Sequence, residues 1–148
     1  MAYNPNNPNG QATSANSAPV VIASDQSAVN TSLQEVATGG ATVFHLVSAV
    51  GTNATNIKSS AGKITGWYIY NSNGSARKVA FHNNAGTPTA GVSVYFTTVI
   101  PPLSGANCPF PAGINFSTGI AITTTTGLAD SDATGVALND LNINIFYK

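Results

Sequence analysis

Charged side chains are scarce in this sequence. They make up 7% of its 148 residues, and five basic and five acidic side chains give a formal net charge of zero, whereas soluble proteins average about 25% charged residues. A neutral surface provides no self-repulsion that would oppose association. The shortage favours a subunit whose surface is mostly covered by partners, and a free-standing neutral β-protein is the alternative.

The same shortage excludes several classes of partner. A nucleic-acid-binding protein needs a basic patch that neutralises phosphates, and only Arg77 and Lys78 are adjacent cations here. An anionic membrane surface also requires basic clusters, and no apolar run approaches the ~20 residues that span a bilayer. We therefore expect neither nucleic acid nor a membrane among the partners.

Cysteine is almost absent as well. Cys108 is the single cysteine of the chain, so an intramolecular disulfide is excluded, and without a second cysteine at ligand spacing a zinc site is not expected. We interpret it as a small buried hydrophobic residue. The N-terminus lacks the cationic and apolar regions of a secretory signal peptide, which predicts folding in a cytoplasm.

The sequence also lacks a catalytic motif. His45 and His82 are the only candidate general bases near neutral pH, and neither adjoins a nucleophile in a recognisable pattern. The spacing of the acidic residues selects no carboxylate pair of the kind found in glycosidases. We therefore predict that the protein is not an enzyme and uses no cofactor, with glycan hydrolysis as the remaining enzymatic alternative.

One acidic loop resembles the beginning of a calcium site. Asp130, Asp132, Thr134 and Gly135 match the opening of such a loop. The bidentate glutamate required at its twelfth position is replaced by Leu141. An exposed acidic turn is therefore the preferred interpretation, and no metal is expected.

What the sequence does contain is a series of short β-prone segments separated by turn residues. Roughly seven or eight such segments follow residue 40, with no amphipathic helix of useful length. This pattern predicts an all-β protein, an antiparallel β-sandwich of jelly-roll type. The clearest predicted strands are 41–50, 63–71, 75–83, 92–100 and 139–148.

Local patterns add finer expectations. The Asn73-Gly74 pair predicts a tight hairpin that joins the strands on either side of it. The continuous apolar character of residues 41–50 predicts a strand covered on both faces, and the prolines within 103–113 predict an irregular segment. Simple alternation in 63–71 places Ile64 on the face opposite Trp67.

Residues 1–39 differ from the rest of the chain. In residues 1–18, asparagine, proline and glycine break any regular element, and such a composition cannot offset its own ordering entropy without a partner. A short apolar run at 19–23 precedes a polar turn. We predict an extended N-terminal arm (1–39) with a β segment at 19–23, followed by a β-sandwich domain (40–148). The predicted partner-binding residues of the arm are Pro19, Val20, Val21, Ile22, Ala23, Ser24, Asp25 and Gln26.

Three segments resemble structural proteins of tailed-bacteriophage virions. They are NSAPVVIASDQSAV (16–29), GWYIYNSNGSARKVAFHNNAGTPTAG (66–91) and FPAGINFSTGIAITTTTGLADSDATGVALNDLNINIFYK (110–148), which together cover most of the chain after residue 15. The resemblance is to a virion module with an N-terminal extended arm. It implies no catalytic residues.

The resemblance implies a capsid decoration (cement) subunit, or else a tail or fibre component. The absence of heptads or repeats that would build a shaft favours decoration, and an arm of about 35 residues extends on the order of 100 Å at ~3.3 Å per residue. Cement proteins commonly form trimers at three-fold positions. The resemblance therefore suggests a homotrimer that binds the major capsid protein on the virion surface and is assembled in the host bacterial cytoplasm.

The two locations imply different binding chemistry. On a capsid, the apolar run of the arm would add as a strand to an exposed sheet edge of the shell or of a sister subunit. In a tail or fibre, Trp67, Tyr68 or Tyr70 could stack on the rings of a host glycan. Because these aromatics alternate within one strand, packing in the core and sheet is the preferred interpretation of them.

Overall fold

The computed structural model describes residues 40–148, which form eight β-strands. The strands are β1 (Thr42–Val47), β2 (Thr55–Lys58), β3 (Gly62–Asn71), β4 (Arg77–Asn83), β5 (Phe96–Ile100), β6 (Ser104–Phe116), β7 (Ile120–Thr125) and β8 (Leu141–Tyr147). No helix among these residues is long and apolar enough to cross a membrane. The predicted arm and its β segment at 19–23 lie outside the described residues.

The strands are arranged in two four-stranded antiparallel sheets. One sheet has the order β1-β8-β3-β6 and the other the order β2-β7-β4-β5. Chain neighbours such as β3 and β4 therefore lie in different sheets, and only β4 and β5 pair with each other directly. This strand order is that of an eight-stranded jelly roll, and it confirms the predicted all-β sandwich.

The core lies between the inner faces of the two sheets. It consists mainly of β-branched and aromatic side chains that alternate with outward-facing ones along each strand. Trp67 of β3 stacks on Phe81 of β4 with ring centroids 5.2 Å apart, and Phe81 stacks on Phe96 of β5 at 4.4 Å. The fully or almost fully buried members are Ile64, Trp67, Ile69, Val79, Phe81, Ile100, Phe116, Ile120, Ile122, Val136, Leu141, Ile143 and Ile145.

A buried ion pair joins the two sheets at one end of the sandwich. Arg77, at the start of β4, donates from Nε to Asp140 Oδ2 at 2.7 Å, next to the start of β8. The backbone N–H of Ala137 and the amide of Asn73 donate to the same carboxylate at 3.0 and 2.9 Å. Burial opposes ionisation of Asp140, but these donors and the Arg77 charge outweigh it and lower its pKa.

The predicted hairpin between β3 and β4 is wrong. These strands lie in different sheets, and the chain between them crosses from one sheet to the other. The cause is the buried side chain of Asn71, whose amide donates to the carbonyls of Ser75, Ile100 and Pro101. Its Oδ1 accepts from the N–H of Asn73. The Asn-Gly signal therefore marks a turn, as expected, but side-chain hydrogen bonds stabilise a crossover in place of a two-residue hairpin loop.

Three further local expectations are also wrong. Residues 103–113 are regular, because β6 lies at a sheet edge, where Pro109 and Pro111 need not donate to a ladder. β1 is likewise an edge strand, with one face exposed. A register shift between Ile64 and Gly66 brings Ile64 to the same inner face as Trp67.

The strands differ from the expected ones most at β2 and β5. β2 lies within a polar stretch that carried no strand signal, because its four residues are only partly buried. The predicted strand 92–100 forms only in its second half, as β5, and residues 92–95 belong to the preceding loop. β8 has the predicted alternation, with Leu141, Ile143 and Ile145 buried in the core.

Candidate functional site

The outer face of the β1-β8-β3-β6 sheet is open to solvent, and we call it the open face. Strand register aligns its side chains in three rows that cross the sheet. The rows are Val43–Phe146–Gly66–Pro109, His45–Asn144–Tyr68–Asn107 and Val47–Asn142–Tyr70–Gly105. None of these positions is Asp, Glu, Lys or Arg, so the open face combines aromatic rings and amides without a formal charge.

Of the three aromatics that the sequence suggested for glycan stacking, two are exposed on the open face and one is buried in the core. Trp67 is 7% exposed and belongs to the core, where packing was the preferred interpretation. Tyr68 and Tyr70 are 56% and 50% exposed. Phe146 meets the ring of Tyr68 edge-on, with centroids 6.0 Å apart, which restricts the orientation of that ring. Two exposed tyrosines on adjacent rows therefore remain available for a ligand.

Hydrogen bonds order the amides of the open face. The N–H at Nδ1 of His45 donates to Oδ1 of Asn144 at 2.9 Å, and Nδ2 of Asn144 donates to Oδ1 of Asn142 at 3.2 Å. Asn107 makes no side-chain hydrogen bond within residues 40–148. Donor capacity is therefore left over on each of the three amides.

Two grooves lie on either side of Tyr68. The first, of about 260 Å³, is mostly apolar and is lined by residues that include Ala41, Gly66, Pro109 and Phe146. The second, of about 290 Å³, is lined by Tyr68, Ile69, Tyr70, Gly105, Asn107, Asn142 and Asn144; we call it the Tyr–Asn groove. Gly105 faces it without a side chain, which leaves the space beside Tyr70 open.

The free edge of β1 borders the open face. Within residues 40–148, β1 pairs with β8 and has no strand on its other side. Its outward-facing Val43 and Val47 are 56% and 44% exposed, and Val50 beyond it is 79% exposed. An edge strand with unpaired backbone groups and exposed apolar side chains can pair with a strand of another chain.

The outer face of the β2-β7-β4-β5 sheet is buried over its two central strands, β7 and β4, and we call it the covered face. Its central side chains are Lys78, Ala80 and His82 of β4 and Ala121, Thr123 and Thr125 of β7, each 2% exposed or less. The loops 84–95 and 126–135 lie over it. The ammonium of Lys78 donates to the carbonyl of Ala129, and a Cβ at Gly91 would meet the carbonyl oxygen of Ser131 at 2.5 Å, so the two loops also contact each other.

His82 is a structural histidine of the covered face. Its Nε2 lies 3.0 Å from Oγ1 of Thr123. Burial lowers the pKa of His82, the charge of Lys78 acts in the same direction, and hydrogen bonds with the backbone of residues 92–93 oppose both. The side chain is therefore neutral at pH 7 and is enclosed by its own loops.

The acidic loop is closed by its own carboxylate. Asp132 accepts hydrogen bonds from the N–H of Gly127, the N–H of Thr134 and the hydroxyl of Thr134 at 3.0 to 3.2 Å. Desolvation opposes ionisation, but these donors outweigh it and lower the pKa of Asp132. Within residues 40–148, no three His, Cys, Asp or Glu side chains lie close enough to hold a metal ion.

Two buried or partly buried groups lie near Tyr68. Cys108 is partly buried against the core and faces the backbone of Gly66, where a Cβ would meet the Cys108 carbonyl oxygen at 2.9 Å. The indole N–H of Trp67 has no acceptor within residues 40–148.

The structure describes the open face but not the predicted arm residues. The arm residues 19–26 lie outside the described part of the chain, and their role stays a prediction. The amides of the open face were missed in the sequence, although the alternating asparagines of β8, Asn142 and Asn144, were visible as its polar side. The positions of Asn107 and Gly105 on the open face could not be predicted, because the prolines within 103–113 indicated an irregular segment in place of β6.

No family model, curated protein or solved structure matches this chain.

Proposed function

We propose that this protein is a capsid decoration (cement) protein of a tailed bacteriophage, which binds at capsomer junctions and stabilises the head shell. The observation that carries the proposal is the free edge of β1. Among the described residues, 40–148, this edge combines unpaired backbone groups with the exposed side chains of Val43 and Val47, and it follows directly after segment 1–39 in the chain. A solitary protein usually protects such an edge with charge or proline.

The composition of the chain supports the same conclusion. With 7% charged residues and no net charge, the surface has little long-range repulsion to prevent close contact with a shell protein. In this proposal the sandwich sits over a capsomer junction with its β1 edge against a neighbouring chain. A homotrimer would place three such edges on one junction and add avidity.

The arm would extend the contact. Val20, Val21 and Ile22 would add as a strand to a sheet edge of the major capsid protein or of a sister subunit. Burial of these side chains would contribute roughly 1.5–3 kcal/mol each, reduced by the cost of ordering the arm.

A binding experiment with matched variants tests the proposal. Capsid shells of the phage that encodes the protein are prepared without it. They are incubated with the unsubstituted protein, with Val47→Lys or with Val99→Lys, and occupancy is measured by quantitative gel analysis and electron microscopy. Val47 and Val99 are 44% and 43% exposed on edge strands of different sheets. We expect Val47→Lys to lose occupancy at least about tenfold, because its charge would be buried at the contact, and Val99→Lys to bind as the full chain does.

A deletion separates the arm from the β1 edge. Removal of residues 1–29 should leave a folded body that no longer decorates shells. Full occupancy by the truncated protein would refute docking through the arm, and full occupancy by Val47→Lys would refute docking through β1. Antibody labelling of intact virions distinguishes the alternative, because a tail or fibre component would label the tail and leave the head unlabelled.

A further inference from the structure

We propose that the Tyr–Asn groove on the open face is a binding site for a neutral oligosaccharide. This inference is independent of where on a virion the protein sits. The groove lies towards the β6 side of the sheet and is lined by residues of β3, β6 and β8. The β1 edge is on the other side, so a shell contact through β1 leaves the groove accessible.

The polar groups of the groove match sugar hydroxyls. Asn107, Asn142 and Asn144 each present an amide with both donor and acceptor atoms, and hydroxyls on neighbouring ring carbons can accept from and donate to such groups at once. The His45–Asn144–Asn142 hydrogen bonds fix two of these amides before a ligand arrives. Fixed side chains lose less rotamer entropy on binding.

The aromatic groups match the apolar side of a sugar ring. Tyr68 and Tyr70 are two positions apart on β3, so they project from the same face of the sheet roughly 6.7 Å apart along the strand. The C–H groups on one side of a pyranose ring pack against the electron-rich face of an aromatic ring. Two half-exposed tyrosines beside three amides therefore offer stacking and hydrogen bonding to one ligand.

The lining of the groove argues against other ligands. No charged side chain of residues 40–148 lines it, so an acidic sugar or a nucleotide would find no cation among them for its carboxylate or phosphate. An extended peptide gains affinity by adding to a sheet edge. The floor of the groove is formed by β3 and β8, whose backbone groups already pair on both sides, and the edge strand β6 contributes only Gly105 and Asn107 to the lining. A neutral, hydroxyl-rich ligand fits both observations.

The width of the groove depends on Gly105. A Cβ built at Gly105 has its nearest neighbours at 3.5 Å or more, which is ordinary contact. The backbone at this position therefore admits a Cβ, and the methyl groups of a valine would occupy space beside Tyr70, which pairs with Gly105. Gly105→Val thus provides a variant that obstructs the groove without removing any of its hydrogen-bonding groups.

Binding is tested with the full chain on an array of immobilised glycans that carries neutral, sialylated and sulfated oligosaccharides. We expect the bound spots to be neutral. Solution affinity for the best neutral spot is then measured by NMR titration for Tyr68→Ala, Asn144→Ala and Gly105→Val, each expected to bind about tenfold more weakly or worse, because each loses stacking, a hydrogen bond or space.

Matched variants serve as controls. Tyr95 is 51% exposed and does not line the groove, and a Cβ at Gly74 would meet no atom within 4 Å. Tyr95→Ala and Gly74→Val should therefore bind as the parent does. NMR spectra confirm that each variant is folded before its affinity is compared.

Several outcomes would overturn the inference. These are an array without bound spots, a preference for the acidic glycans, or unchanged binding by Tyr68→Ala together with Gly105→Val. A change in oligomeric state of Tyr68→Ala by light scattering would instead identify the face as an interface between copies and refute the glycan site.

Discussion

His45 and His82 lie on opposite outer faces of the sandwich, and each is hydrogen-bonded to a side chain of a neighbouring strand at about the same distance, 2.9 and 3.0 Å. His45, on the open face, is exposed, whereas His82, on the covered face, is 2% exposed. The same residue type in the same kind of contact therefore has two different environments, and the difference is set by what lies over each sheet.

The loops account for this difference. Loops 84–95 and 126–135 each follow a central strand of the β2-β7-β4-β5 sheet, β4 and β7 respectively, and fold back over it. The residues they cover are needed for the fold, since a buried polar group must be satisfied within the protein. The open face has no such requirement, and its exposed tyrosines and ordered amides contribute little to the core. A face that is ordered but unburied is the better candidate for binding.

The largest expected effect concerns the ion pair that holds the two sheets, and so the two faces, together. Asp140→Asn removes the negative charge opposite Arg77 while it retains a similar shape. We expect a loss of about 3–5 kcal/mol in the free energy of unfolding, because a buried guanidinium is left without its counter-ion. Urea unfolding followed by tryptophan fluorescence measures the change.

A double variant provides the control for this prediction. Arg77→Met combined with Asp140→Asn removes both charges, so that no unpaired charge is buried. We expect it to be more stable than Asp140→Asn alone. Equal or lower stability of the double variant would show that the charge of Arg77 is not the source of the loss.

The sandwich could be predicted from the sequence because its signals are local. Alternation in β8 and the β-branched run in β1 identify strands without knowledge of their partners. The open face is harder to predict, since it depends on which strands are neighbours. Asn107 and Asn144 are far apart in the chain, and only the order β8-β3-β6 places both beside Tyr68.

The errors have one physical origin, which is tertiary context that outweighs local preference. Asn73-Gly74 favours a tight turn, but the three carbonyls that accept from Asn71 determine where the chain goes next. The prolines of β6 disfavour a strand only where their nitrogen would have to donate, and the sheet edge removes that requirement. Neither the partners of Asn71 nor the edge position of β6 can be read from one sequence.

The second prediction compares one hydrogen bond on each face. Thr123→Val removes the hydroxyl that contacts His82 while it keeps the side-chain shape. We expect a loss of about 1–3 kcal/mol, because a buried imidazole nitrogen would be left without a partner. Asn144→Leu removes the partner of His45 on the open face, where water replaces it, and should change stability by less than about 0.5 kcal/mol.

Urea unfolding of both variants under one condition measures this comparison. Equal losses would contradict it, because they would mean that the loops do not exclude water from His82, or that the open face is itself buried in the folded protein. A larger loss for Asn144→Leu would point to the second explanation. Light scattering at the same protein concentration would then detect the additional contact.

The smallest expected effect is the pH dependence of the covered face. Burial lowers the pKa of His82 in the folded protein, whereas in the unfolded chain it is near its ordinary value of about 6.5. As the pH falls below that value, His82 is protonated in the unfolded state but not in the folded state, so the free energy of unfolding decreases. The decrease ends once the pH is below the lowered pKa.

His82→Gln removes this titration and keeps a polar side chain next to Thr123. We expect the parent to lose stability between about pH 7.5 and pH 5, and the variant to lose less over the same range. The carboxylates with lowered pKa values, Asp132 and Asp140, remain ionised throughout that range, so their own loss occurs at lower pH. If the free energy of unfolding of parent and variant changed with pH in parallel, His82 would be hydrated in the folded protein. Water would then reach the covered face despite the low exposure of His82.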